Sequence, residues 1–170
     1  MVDGDIAGAM AVAERVHPNF PEGPAMYRDR IALFPDGCLV AEVGGDIAGY
    51  ALAYPARFPS PPPLDTVLGG LEAGADALYL HDIAILPEHR GSGLSTEAVS
   101  RLLALAEPFG LAMLVSVYGT GSFWARRGFA EEAIPPGKLA SYGADAVFMV
   151  RRKKTSSISP ADLESERAFR

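Results

Sequence analysis

Residues 78 to 97 constrain this chain more than any other stretch. A mostly apolar run, a proline, a glycine-bearing loop and a periodic apolar segment follow one another without a gap. Leu78 to Leu86 is too short for a helix, and Pro87 stops it by offering no backbone N–H, which suits a strand buried on both faces. Arg90-Gly91-Ser92-Gly93 comes next. Leu94 to Ala106 then places Leu94, Ala98, Leu102 and Leu105 on one face of a helix. Strand, loop and helix start together make an anion site. The first N–H groups of a helix have no internal partners, and the dipole adds partial positive charge there. Gly91 and Gly93 lack a Cβ, so a phosphate can come close to the backbone. Ser92, Ser95 and Thr96 can add hydroxyl donors and Arg90 a charge, so the chemistry implied is diphosphate binding.

The loop is not Gly-x-x-x-x-Gly-Lys-Ser/Thr, and a Gly-x-Gly-x-x-Gly reading fails because the third position is Thr96. Arg90-Gly91-Ser92-Gly93-Leu94-Ser95 instead resembles motif A of the GNAT superfamily of acyl-CoA-dependent N-acyltransferases. That pattern is Arg/Gln-x-x-Gly-x-Gly/Ala after a strand and a Pro-containing turn, and Ser95 at its end is the departure. A second stretch carries the same resemblance. Leu111 to Val117 is an apolar strand candidate, broken by Gly119 and Gly121. Phe123, Gly128 and Phe129 then match the family's Phe-Tyr-x-x-x-Gly-Phe. Trp124 stands where the family often has Tyr, the usual candidate acid for the CoA thiolate, and indole cannot do that near neutral pH. Tyr118 stands where an Asn is common. The resemblance covers roughly residues 38 to 150.

The resemblance implies an α/β (α+β) fold: a GNAT-like single domain over residues 1–152, with a mixed, mostly antiparallel twisted sheet flanked by helices. The sheet is expected to splay at the motif A strand. Residues 153–170 read as a polar tail, with a helix from Pro160 that Ser159 could cap. The cofactor-binding set implied is Arg90, Gly91, Ser92, Gly93, Leu94, Ser95 and Thr96, with Tyr118, Phe123 and Trp124. A bulge in the motif A strand would free N–H groups at Ile83, Ala84 and Ile85 to polarise a thioester carbonyl. His81 and Asp82 are the only polar residues on that strand, and by alternation they should face opposite ways. The family often has a Glu there as base, so His81 or Asp82 could serve; the other reading is a structural hydrogen bond. Tyr142 is a candidate proton donor in place of the missing Tyr. His89 reads as exposed or as an adenine-side contact.

Upstream, residues 5 to 16 read as a helix that Asp3 or Asp5 could cap. The first strand usual in the family is expected to be short or absent. His17 to Glu22 is a loop, broken by Pro18 and Pro21. In the family this connection lines the acceptor side, which makes Phe20 and Glu22 substrate-binding candidates and His17 a base; the alternative is a packing plug at Phe20. Ala25 to Phe34 reads as a helix. Leu39 to Val43, Gly44-Gly45-Asp46 and Ile47 to Tyr54 read as a hairpin, with Gly49 marking a bulge or a close backbone approach. Residues 55 to 66 hold five prolines and read as an extended loop, either a stiff wall beside the acceptor pocket or a rigid linker. Leu64 to Leu71 could form a helical turn. Ala130 to Lys138 reads as a loop and Ala144 to Arg151 as the last strand.

With 170 residues the chain has room for one domain with a real core. Its net charge of −6 and lack of a basic run argue against nucleic acid and favour an amine substrate. A single cysteine, Cys38, cannot form an internal disulfide and fits a reducing cytoplasm. No run suits a membrane span or signal peptide, and the histidines lack metal-ligand spacing. The expectation is therefore a cytoplasmic N-acetyltransferase, with room for a homodimer, that moves acetyl from acetyl-CoA to an amine by direct attack. Acetyl-CoA is the co-substrate and no metal is needed. No Cys or Ser is set up as a nucleophile. An acyl-CoA-binding sensor or regulatory module without turnover is the alternative, and a non-CoA nucleotide-binding domain a third.

Overall fold

The apolar runs become strands, and their pairing sets the glycine loop at the mouth of a splay. The computed structural model describes residues 1–135 and 137–153. Helices α1 (Ile6–Val16) and α2 (Pro24–Leu33) come first, then strands β1 (Cys38–Val43), β2 (Asp46–Ala56) and β3 (Ala77–Ile85). Helix α3 (Leu94–Leu105), strand β4 (Leu111–Ser116) and helix α4 (Gly121–Ala125) follow. Strands β5 (Ala130–Glu131) and β6 (Val147–Arg152) close the sequence of elements. The sheet order is β1-β2-β3-β4-β6-β5. Only β3 and β4 run parallel among the described strands, joined through α3 as a parallel pair requires.

Each face of the sheet buries its own apolar set. On one, Leu102 of α3 packs with Leu78, Leu80, Leu114 and Met149. On the other, Ile6, Ala9 and Val12 of α1 and Met26 and Tyr27 of α2 pack with Tyr50, Leu52 and Ala84. Each fully buried Leu or Met contributes roughly 1.5–3 kcal/mol of transfer free energy. Cys38 is buried in the second set, and burial pushes its thiol up to about 11, so it packs as a small apolar residue. Among the described residues no strand comes before α1, and the Met1 amine donates to the Cys38 carbonyl at 2.8 Å. Asp5 holds the cap position of α1, but its carboxylate accepts from the Val2 N–H at 2.7 Å rather than from the helix.

The hairpin turns at Gly44 and Gly45, both at positive φ (65° and 94°). Its bulge falls at Ala48, since Ala41 pairs with Gly49 and Glu42 with Ile47. Gly49 is also a close approach: a Cβ there would lie 2.4 Å from Ile85 Cδ1 and 2.7 Å from the Ala84 carbonyl oxygen. The close-approach reading of Gly49 holds, and the bulge lies one residue before it.

Three expectations need correction. Ala130–Glu131 is not loop but a short antiparallel strand on β6, because the turn at Gly128 lays it along that edge. Leu64 to Leu71 forms no helical turn; its N–H groups bond to Glu22, Ser141 and Asp29 instead of to each other. The last strand starts at Val147 rather than Ala144. Lys153, assigned to the tail, is still held: its N–H donates to the Gly110 carbonyl at 2.9 Å and its ammonium lies 2.7 Å from Glu107. The helix expected from Pro160 lies outside the described residues. Among those residues no helix is long and apolar enough to cross a membrane.

Candidate active site

Strands β3 and β4 pair over Leu78–Leu80 and Ala112–Leu114 only, although β3 continues to Ile85 and β4 to Ser116. Beyond Leu80 they part, and a cleft of about 740 Å³ opens between them. The β3 backbone on the cleft side has lost its strand partner. Leu86 donates its N–H to the Ala48 carbonyl of β2 at 2.9 Å. Backbone N–H groups alternate along a strand, so those of Ile83 and Ile85 turn away from β2 and toward the splay, while that of Ala84 turns to β2. Ile83 and Ile85 line the cleft. Ala84 does not: its side chain is buried against α1 and α2. Of the three N–H donors expected, the geometry offers two.

The loop at the mouth fits a diphosphate. Gly91 and Gly93 take positive φ (79° and 93°), and a Cβ on either would meet nothing within 4 Å. The first backbone bond of α3 runs from the Glu97 N–H to the Gly93 carbonyl at 3.0 Å, and no side chain caps the helix. The N–H groups of Leu94, Ser95 and Thr96 are thus left without acceptors. Arg90, Gly91, Leu94 and Ser95 line the cleft. Two hydroxyls expected there are engaged elsewhere. Ser92 Oγ donates to the His89 carbonyl at 2.6 Å, and Thr96 Oγ1 accepts from Arg127 at 3.3 Å. Ser95 is the hydroxyl that remains.

Deeper in, the structure joins the first loop to β3 through two imidazole–carboxylate pairs. His17 Nε2 lies 3.0 Å from Asp82 Oδ1, and His81 Nε2 lies 2.8 Å from Glu22 Oε2. All four residues line the cleft. His81 and Asp82 do not face opposite ways as alternation predicts. Leu52 pairs with Asp82 and Ala53 with Leu80, so His81 is the extra residue of a bulge. The bulge turns both side chains to the α1–α2 face, where His81 meets Tyr54 and Asp82 meets Tyr50.

The two imidazoles are not equivalent. His81 has both nitrogens occupied, Nε2 by Glu22 and Nδ1 by the Tyr54 hydroxyl at 3.3 Å, and its side chain is 1% exposed. Both nitrogens of His17 are buried without a hydrogen-bond partner, although Nε2 lies 3.0 Å from the Asp82 carboxylate. Its ring lies parallel to that of Tyr118, with centroids 5.7 Å apart and planes 3° apart. Burial opposes charge on His17, but the Asp82 carboxylate, reinforced by Glu22, outweighs it and holds the group above its ordinary value of 6.5. Burial likewise opposes charge on Asp82, yet His17 and the Tyr50 hydroxyl bring it below its ordinary 3.8. Tyr27 in turn reaches Tyr50 at 3.4 Å, so Asp82 is fixed from behind.

These shifts set a stability window. The raised His17 contributes fully below pH 6.5, and its contribution fades as pH climbs through its raised value. The depressed Asp82 contributes above 3.8, and loses that as pH falls through its lowered value. The urea midpoint gap between wild type and His17→Gln should therefore be widest near about pH 5.5 and shrink by about pH 9. A gap that is flat across that range contradicts the pairing.

Tyr118 sits at the rim, 47% exposed and at φ 54°, and Phe20 tilts against it at 5.3 Å. The first loop therefore reaches across the splay to the chain after β4. Trp124 lines the cleft and packs edge-on against Phe129 at 5.4 Å, beside Phe123 at 5.0 Å. Tyr142 also lines the cleft, but its hydroxyl donates to the Pro62 carbonyl and lies 2.9 Å from that of Tyr79. Burial pushes its phenol up to about 12, which disfavours proton donation. Sequence reasoning missed Tyr50, Leu64 and Asp65, which respectively brace Asp82, line the cleft and bind Glu22. Only Asp65 left a trace in the sequence, as an Asp in a proline-rich turn region.

Comparison with solved structures gives the same fold. The chain superposes on the GphF GNAT-like decarboxylase in complex with isobutyryl-CoA with a TM-score of 0.75 at 18% identity, covering 91% of this chain and 97% of that one. Naa50 of Arabidopsis thaliana, in complex with the bisubstrate analogue CoA-Ac-MVNAL, gives 0.65 at 12% identity, covering 89% and 94%. The ribosomal-protein-S18-alanine N-acetyltransferase of Escherichia coli gives 0.60 at 17%, covering 94% of each chain. Comparison with curated proteins by sequence finds no match. The model of the acetyltransferase (GNAT) family matches residues 8–129, which include the splay, the glycine loop and the first loop's His17. The chain belongs to the acetyltransferase (GNAT) family.

Proposed function

We propose that this protein transfers an acyl group, acetyl in the simplest case, from a coenzyme A thioester to a primary amine by direct attack. The observation that carries this reading is His17. Its Nε2 lies 3.0 Å from the Asp82 carboxylate and neither ring nitrogen has a hydrogen-bond partner, at a cleft whose far wall offers unpaired N–H groups. Acetyl-CoA, as co-substrate, supplies the activated thioester. Arg90 and the free N–H groups of Leu94, Ser95 and Thr96 hold the diphosphate. The Ile83 and Ile85 N–H groups face developing negative charge on the carbonyl oxygen. A His17 ring nitrogen takes one proton from the incoming ammonium and passes it to solvent, and the second proton that the nitrogen sheds after attack goes to the leaving sulfur. Trp124 cannot donate that proton, and the Tyr142 proton is directed at Pro62. Asp82 holds the His17 ring, and Tyr118 fixes its plane.

A thioester whose acyl group carries its own carboxylate is a poorer match. Glu22 and Asp82 put two carboxylates on the cleft wall, which favours a cationic partner over an anionic one. The test is release of free thiol from acetyl-CoA with a panel of primary amines. Release that depends on an amine supports acyl transfer. Tight coenzyme A binding with no release from any amine would make the protein a binding module instead.

A further inference from the structure

We propose that the proline-rich segment between β2 and β3 is a fixed wall across the inner end of the cleft. The acceptor is then a small primary amine that stops at the wall, not a polypeptide N-terminus that must run past it. The inference rests on the acyltransfer reading and narrows its substrate class.

The segment is bonded on both sides of the cleft. Toward the first loop, the Asp65 N–H donates to Glu22 Oε1 at 2.9 Å, and Asp65 Oδ1 accepts the Gly23 N–H at 2.7 Å. Toward the chain before β6, Tyr142 donates its hydroxyl to the Pro62 carbonyl, and the Leu64 N–H reaches Ser141 Oγ at 3.5 Å. From below, Arg30, fully buried with its guanidinium 4.4 Å over the Tyr54 ring, donates to the Thr66 carbonyl at 2.8 Å. Asp29 accepts the N–H groups of Leu68 and Gly69 at 3.0 and 2.9 Å. Leu64 faces the cleft between these anchors.

The wall stands at the His81 end, because Glu22 bonds both His81 and Asp65. The Arg90 loop stands at the other end, beyond Ile85. His81 and Ile85 are four residues apart on β3, roughly 13 Å of strand. Within that length and about 740 Å³ the cleft must hold both the reacting end of the thioester and the acceptor. An extended peptide advances roughly 3.3 Å per residue and would meet Leu64 after one or two residues.

Two measurements on the wild-type protein test this. Amide hydrogen exchange should show Asp65, Leu68 and Gly69 exchanging at least about a hundredfold more slowly than in an unstructured peptide of the same sequence. Calorimetry should show coenzyme A joined through an acetyl linker to a short peptide binding about tenfold or more weakly than coenzyme A joined to n-butylamine. Unprotected amides, or equal affinity of the two conjugates, would overturn the wall. If neither conjugate binds, the acyltransfer reading falls, and the exchange rates still decide whether the wall stands.

Discussion

His17→Gln should lower amine-dependent thiol release by about a hundredfold to ten-thousandfold, the range typical of losing a positioned general base. Glutamine keeps a donor near Asp82 but cannot take up a proton, so the loss reads chemistry rather than packing. The pH dependence makes the assignment sharper. Because His17 is held above 6.5, the acid limb of the wild-type pH–rate profile should lie above the ordinary histidine value. Asp82→Asn removes the charge that raises it and leaves the opposing effect of burial, so the limb should move to lower pH. A His17→Gln protein with turnover within a few-fold of wild type, or an acid limb that Asp82→Asn leaves in place, would remove His17 from the reaction.

Gly93→Trp should weaken coenzyme A binding by about a hundredfold or more, the equivalent of losing one or two charge-assisted hydrogen bonds to the diphosphate. Gly93 has φ 93°, so any side chain there also strains the backbone, by roughly 1–2 kcal/mol. Gly93→Ala separates the two effects. It should show the same drop in stability and lose only part of the affinity that tryptophan loses, because its Cβ alone enters the open space through which a phosphate approaches the backbone. Ser95→Trp brings bulk to the same mouth from a helical position without that strain, and should reproduce the loss in affinity. Calorimetry with coenzyme A, beside thermal unfolding, reads both quantities. Tryptophan variants that bind as tightly as Gly93→Ala would show that the diphosphate sits elsewhere.

The strand–loop–helix unit was legible because each part carries a local signal. Leu78 to Leu86 is a short apolar run ended by Pro87, and Leu94 to Ala106 repeats at the helical period. The residues of the site were legible one by one, but their pairing was not. His17 meets Asp82, and Glu22 meets His81, across more than fifty positions of sequence, and no periodicity encodes such a distance. The choice of base turned on that pairing: His81 stood out on an apolar strand, yet the structure occupies both its nitrogens and leaves those of His17 without hydrogen-bond partners. The bulge at His81 is set by the register of β2 against β3, a property of two strands that neither shows alone. Ser92 and Thr96 sat in the right loop, but hydroxyl direction depends on neighbours, here His89 and Arg127. The proline run announced an extended path, and left open what it would lean on.

The anchors of that proline-rich segment have a consequence for change over time. Pro62, Leu64, Thr66, Leu68 and Gly69 are all held through main-chain atoms, and the side chains of Asp65 and Thr66 add ties of their own. A carbonyl or N–H is the same whatever residue bears it, so substitutions along the segment can repaint the inner surface while its course is kept. Leu64 is the tile that faces inward. Evolution, or a protein engineer, has there a single position at which the preferred acceptor can drift while the machinery around His17 stays untouched.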